Sequence, residues 1–158
     1  MKPKTIVLLA ASHAIVLLIG FAAGIYFLPV LIAPEAPGAA EAQSAMRAAQ
    51  YSARFRKDLK GSDFLHWGEG TVAVGRERVA FRGQLAPVPD YKLYFAPEFV
   101  DTKEAFLRIK ERSVRAADIR TFESFVVSIP ATLDIGAYNT VVVWCERFSM
   151  FITAAQYR

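Results

Sequence analysis

Residues 138–154 read YNTVVVWCERFSMFITA. Two apolar runs, Thr140–Cys145 and Phe148–Ala154, bracket the polar pair Glu146-Arg147. That pattern predicts two neighbouring β-strands. In the first run Val141, Val143 and Cys145 alternate with Val142 and Trp144, so both faces of the strand are apolar. A strand of this kind belongs in the middle of a sheet covered on each side.

Upstream, the same short-period texture recurs. Thr71–Val74 and Val79–Arg82 flank Gly75-Arg-Glu-Arg and predict a hairpin. Tyr91–Ala96 reads as a strand stopped by Pro97, and Phe122–Ile129 as one stopped by Pro130. Asp101-Thr-Lys-Glu104 has the spacing of a capping box with Asp101 as the cap, opening a short helix through about Arg112. Together these segments predict a mainly β domain over residues 61–158, an antiparallel β-sandwich or barrel. Cys145 is the single cysteine, so no intrachain disulfide exists and the domain depends on its apolar core.

Before Gly61 the composition changes. Glu41–Lys60 is rich in Ala, Arg and Gln and free of Pro and Gly, which predicts a stalk helix stopped at Gly61. Pro34-Glu-Ala-Pro37-Gly38 precedes it as a breaker, so residues 34–60 read as linker and stalk. Residues 1–33 read as a transmembrane anchor. The stretch Thr5–Leu28, TIVLLAASHAIVLLIGFAAGIYFL, spans about 36 Å as a helix at about 1.5 Å per residue. Lys2 and Lys4 precede it, and the first charges after it are Glu35 and Glu41. This asymmetry predicts a single-pass protein of the inner (plasma) membrane, N-terminus cytoplasmic and main domain extracytoplasmic, that is periplasmic. A cleaved signal peptide ending near Ala40-Glu41-Ala42 is the rival. The apolar run, however, exceeds the roughly 7–15 residues of a signal-peptide core.

Within the span, His13, Leu17, Gly20 and Gly24 step by four, three and four and so share one helix face. Gly20 and Gly24 form a G-x-x-x-G motif, which permits close approach of another helix. An intramembrane His is costly toward lipid. The partners expected are therefore the lipid bilayer and another transmembrane helix, either a second copy or part of a larger membrane complex.

Residues 1–44 carry two basic and two acidic side chains, so the net charge of +4 belongs to the rest of the chain. Local clusters occur at Arg54, Arg56 and Lys57 and along Arg108, Lys110, Arg112 and Arg115. Short runs of this kind are ordinarily solvated surface, with anionic lipid headgroups the alternative for the first cluster. Nucleic acid is not an expected partner outside a membrane.

Missing residues narrow the chemistry. One cysteine supplies neither C-x-x-C-H for covalent haem nor a C-x-x-C redox pair. Outside the span the chain has only His66, too few ligands for a blue-copper or a Cys/His zinc site. No serine sits in a G-x-S-x-G elbow. No metal site and no cofactor are expected, and the chain does not read as a stand-alone enzyme. Cys145 is by default a small buried hydrophobe. A reactive thiol requires a neighbour that lowers its pKa, for which Arg147 and His66 are the candidates, with Trp144 beside it.

Three motifs resemble the electron-transfer DM-thirteen domain family, small domains that in animals often accompany DOMON domains. Phe64-Leu-His66-Trp-Gly-Glu-Gly70-Thr-Val is similar to its H-x-x-x-G-x-h strand, with h an apolar residue. Pro89-Asp90-Tyr-Lys-Leu-Tyr-Phe is similar to its PD-x-x-h-y-h strand. Tyr138–Phe148 resembles its most specific signature, Y-x-x-V-h-h-W-C-x-x-F. The likeness covers roughly three-fifths of the chain, Phe64 to Tyr157, and departs at Val88, where many members have Gly. It implies an all-β domain whose single cysteine, here Cys145, is redox-active within or beside a membrane electron-transfer system, in a bacterial-type, membrane-anchored member. The expectation is thus a thiol-based redox or electron-transfer role. The alternative is a non-catalytic accessory subunit packed on a larger integral-membrane complex.

Overall fold

The computed structural model describes residues 2–158 and divides into two compact units, one ending at Ile32 and one running from Ala33 to Arg158. The first is α1, Pro3–Leu31, 29 residues with Pro29 inside its last turn. It is long and apolar enough to cross a membrane, as anchors and signal sequences both are. The His13 ring Nδ1 lies 2.8 Å from the Leu9 carbonyl oxygen, so the imidazole is already satisfied once within its own helix.

The second unit holds eight strands in two antiparallel four-stranded sheets, a β-sandwich-like arrangement. A short helix, α2 (Ala39–Arg47), leads into β1 (Tyr51–Phe55). There follow β2 (Gly68–Val74), β3 (Arg78–Leu85), β4 (Tyr91–Ala96), α3 (Lys103–Ile109), β5 (Val114–Ile119), β6 (Ser124–Ser128), β7 (Thr140–Cys145) and β8 (Met150–Gln156). The sheet orders are β1-β2-β3-β6 and β5-β4-β7-β8. The β2–β3 hairpin and strands β4, β6, β7 and β8 lie where the sequence pattern puts them.

Two expectations need correction, and one strand is new. The stalk helix does not reach Lys60; it stops at Arg47, and Tyr51–Phe55 is a sheet strand. Pairing wins there over helix propensity: the Gln50 N–H donates to the Val74 carbonyl, and Phe55 gains full burial in the core. The cap of α3 is Thr102, not Asp101; its hydroxyl accepts the Ala105 N–H at 3.1 Å. Asp101 instead gives its carbonyl to the Gly61 N–H. The helical segment from Lys103 runs to Arg112 as expected, as α-helix to Ile109 and a 3₁₀ turn over Lys110–Arg112. The chain then enters β5, a strand the sequence reading lacked.

Between the sheets lies the main core. Phe55, Val72, Val74, Val79, Phe81 and Phe125 face Leu93, Phe95, Val141, Val143 and Ile152 across it. Phe81 packs on Phe55 at 5.4 Å and on Phe125 at 5.1 Å between ring centroids. Where β2 meets β3, Gly70 stands opposite Gly83. Gly70 has φ +143°, a conformation open to glycine alone. The missing side chains leave room for the Phe81 ring, whose edge atoms lie 2.9 and 2.7 Å from where a Cβ would sit on Gly70 and Gly83. A second core lies on the other face of the β4–β7–β8 sheet, where Phe106 and Ile109 of α3 cover Tyr94, Val142, Trp144 and Phe151. Strand β7 is therefore buried on both faces, as its composition requires.

Candidate functional site

Alternation along β7 sends adjacent side chains to opposite cores. Cys145 faces the inter-sheet core, and Trp144 faces α3. The thiol is fully buried at the end of the strand, and its Sγ donates to the Pro89 carbonyl oxygen at 2.9 Å. Next to it stand the Pro89-Asp90 corner and the turn Glu146–Ser149, joined where the Glu146 N–H donates to the Asp90 carbonyl at 3.1 Å. Asp90 (φ 66°) and Ser149 (φ 49°) both occupy the left-handed region, which costs non-glycine residues about 1 kcal/mol or more each. The Asp90 carboxylate is held by the buried Lys92, whose Nζ lies 2.7 Å away and 3.1 Å from Asp118.

Burial pushes the Cys145 thiol above its ordinary value, and the Asp90 and Glu146 charges add to that. The backbone N–H groups of Phe148 and Arg147 work the other way without prevailing. At rest the group is a neutral thiol. Of its expected helpers, Arg147 contributes only that backbone N–H, since its side chain is exposed. His66 is engaged elsewhere, its Nδ1 2.9 Å from Asp63 Oδ2. Asp63 Oδ1 also accepts the N–H groups of Leu65 and His66 at 2.7 and 2.8 Å. Burial would raise the Asp63 carboxyl, but these bonds outweigh it and hold the group below the usual carboxylate range.

On the outer face of the same sheet, three residues that sequence reasoning did not single out as site residues converge beside Trp144. The Tyr94 hydroxyl donates a hydrogen bond to Glu146 Oε1. Lys110 Nζ, from the 3₁₀ turn after α3, donates to Glu146 Oε2 at 2.7 Å. The Lys110 ammonium also stands 5.2 Å from the Trp144 ring and 5.6 Å from the Tyr94 ring. Phe106 completes the cluster, 5.3 Å from Tyr94 and 5.0 Å from Trp144. The Trp144 indole N–H is buried and points toward the Glu146 carboxylate without reaching hydrogen-bond geometry. Burial raises the Glu146 carboxyl, yet the Lys110 and Tyr94 bonds prevail and keep it below the ordinary range. Tyr94 moves strongly upward, first through burial and then through the bond to Glu146. The one available sequence signal is that Trp144 and Glu146, two apart at a strand end, share a face.

Several other basic side chains are ion-paired at the surface. Arg56 meets Asp58, Arg112 meets Glu98, and Arg115 meets Asp118. Arg54 and Lys57 both approach Glu69. Among the described residues no three His, Cys, Asp or Glu side chains gather as a metal site would require.

A family model described as Electron transfer DM13 matches residues 59–157, the segment that contains both clusters. No curated protein and no solved structure matches the chain.

Proposed function

Since the chain belongs to the electron transfer DM13 family, we propose that its β domain is a redox module, tethered to a membrane by α1, with Cys145 as its thiol group. The observation that carries this reading is the family match across the whole segment from β2 to β8, with Cys145 beneath two short turns that meet through one hydrogen bond. Closed, the site holds a protonated sulfur shielded from adventitious oxidation. When the Glu146–Ser149 turn lifts, the proton passes to water. In water the burial that held the thiol protonated is gone. The sulfur attacks a partner disulfide, forming one S–S bond as the partner's other sulfur leaves as thiolate, and the mixed disulfide persists until a second thiolate, supplied by the partner, resolves it.

Local opening is the testable core of this mechanism. Labelling of the folded full chain with a maleimide is expected to proceed at a slow rate independent of denaturant at low urea. Cys145→Ala gives the blank. If labelling instead follows global unfolding from the lowest urea onward, the thiol is sealed filler and the redox assignment falls.

Supporting the tether are the length and apolarity of α1 and the lysines before it. A second reading, an accessory subunit, is supported by the face of His13, Leu17, Gly20 and Gly24, where neither glycine has any atom of the chain within 4 Å of its missing Cβ. A reporter fused after Tyr157 is expected to be active outside the cytoplasm, with the mature chain keeping its N-terminal residues. Gly20→Leu and Gly24→Leu are expected to insert normally but to lose co-purifying helices, whereas Ile19→Leu keeps them. A mature N-terminus near Gln43 removes the tether; unchanged partners in the glycine variants remove the accessory-subunit reading.

A further inference from the structure

We propose that Tyr94 is a second redox group of this domain, a tyrosine oxidised in one proton-coupled step with Glu146 as its internal proton acceptor. The inference rests on the reading of the domain as an electron carrier and assigns it a one-electron site apart from the thiol. A buried phenol cannot give up an electron and keep its proton without creating an unpaired buried cation. It therefore needs a base already hydrogen-bonded to its hydroxyl, and Glu146 Oε1 occupies that place.

The surroundings fit the same chemistry. Tyr94 is 6% exposed, so a radical on its ring is screened from solvent and from other molecules. Glu146 is a quarter exposed and can pass an accepted proton to water. Lys110 fixes the carboxylate through its second oxygen, leaving Oε1 aimed at the phenol. Arg115 and Asp90 are the remaining charges that act on Tyr94. The buried Trp144 N–H, which has no partner in hydrogen-bond geometry, lies near the same carboxylate.

In the step, the Tyr94 O–H bond breaks and the proton moves along the existing hydrogen bond, converting Glu146 to its neutral acid. One electron leaves the ring for a high-potential one-electron oxidant, an oxidised metal centre of a partner, and a neutral phenoxyl radical remains. Return of one electron and that proton restores the resting state.

The test uses the full chain in detergent with photogenerated ruthenium(III) tris-bipyridine as oxidant, read by electron paramagnetic resonance and transient absorption. A long-lived phenoxyl signal is expected from the unmodified chain. Tyr94→Phe is expected to lose it, and Glu146→Gln to form it at least tenfold more slowly. Cys145→Ser is expected to leave it unchanged. An undiminished signal in Tyr94→Phe places the radical on another tyrosine and overturns the proposal, and an unchanged rate in Glu146→Gln overturns the proton-acceptor role. Maleimide labelling reads Cys145 alone, so the thiol mechanism and the Tyr94 site can fail separately.

Discussion

Trp144→Ala is expected to destabilise the domain by about 3–5 kcal/mol, the usual range for emptying a large aromatic site. The side chain is fully buried, and α3 rests on it through Phe106. Its loss also removes the ring beside the Lys110 ammonium, leaving that charge to Tyr94 and Glu146 alone. Against a typical total of about 5–15 kcal/mol, this is a fifth of the stability or more. Trp144→Phe, which keeps a ring in the site, is expected to cost clearly less. Urea unfolding followed by far-ultraviolet circular dichroism gives both values. A loss under about 1 kcal/mol for the alanine variant would mean that α3 is not seated on the sheet as described.

A larger effect is expected from Gly83→Val. Even the first carbon of a side chain there would overlap the Glu69 carbonyl oxygen and come within 2.6 Å of Gly70 Cα and 2.7 Å of the Phe81 ring. Backbone on the partner strand cannot move aside without breaking the β2–β3 ladder, and Phe81 is held between Phe55 and Phe125. The cost is expected to exceed about 4–5 kcal/mol, enough to leave little folded protein. Gly38→Ala, at a position with nothing within 4 Å, is the control and should be silent. A Gly83→Val chain with unaltered melting would show that β2 and β3 are not paired in this register.

The strands legible in the sequence are those in which period and composition agree. Thr140–Cys145 and Tyr91–Ala96 are buried on both faces, so apolar β-formers fill every position but Lys92 and two Thr-or-Ala ends. β1 and β5 were not legible for the opposite reason. Tyr51–Phe55 continues an Ala- and Arg-rich stretch with no breaker, and only long-range pairing with β2 converts it to strand. Val114-Arg-Ala-Ala-Asp-Ile119 has charges at two of six positions and owes its conformation to β4. At the candidate site, the burial of Cys145 and Trp144 on opposite faces was legible because one strand carries both. Tyr94, Lys110 and Glu146 come from three segments far apart in the chain, and nothing in their local sequence announces the meeting. The pairing of His66 with Cys145 failed because Asp63, three residues ahead, claims the imidazole first.

The two-sided burial of β7 makes that strand a partition. Trp144 and Cys145 are joined by one peptide bond, yet a molecule approaching from the α3 side meets Lys110 and Glu146, and one approaching from the Pro89 corner meets the sulfur. Small molecules aimed at the two sides therefore do not compete for occupancy. Their effects are coupled all the same at the end of the strand, where Glu146 gives its backbone to the corner over the sulfur and its carboxylate to the phenol. Sequence change divides along the same line: residues under α3 can vary without touching the thiol, whereas a change at Asp90 or Glu146 is felt on both sides.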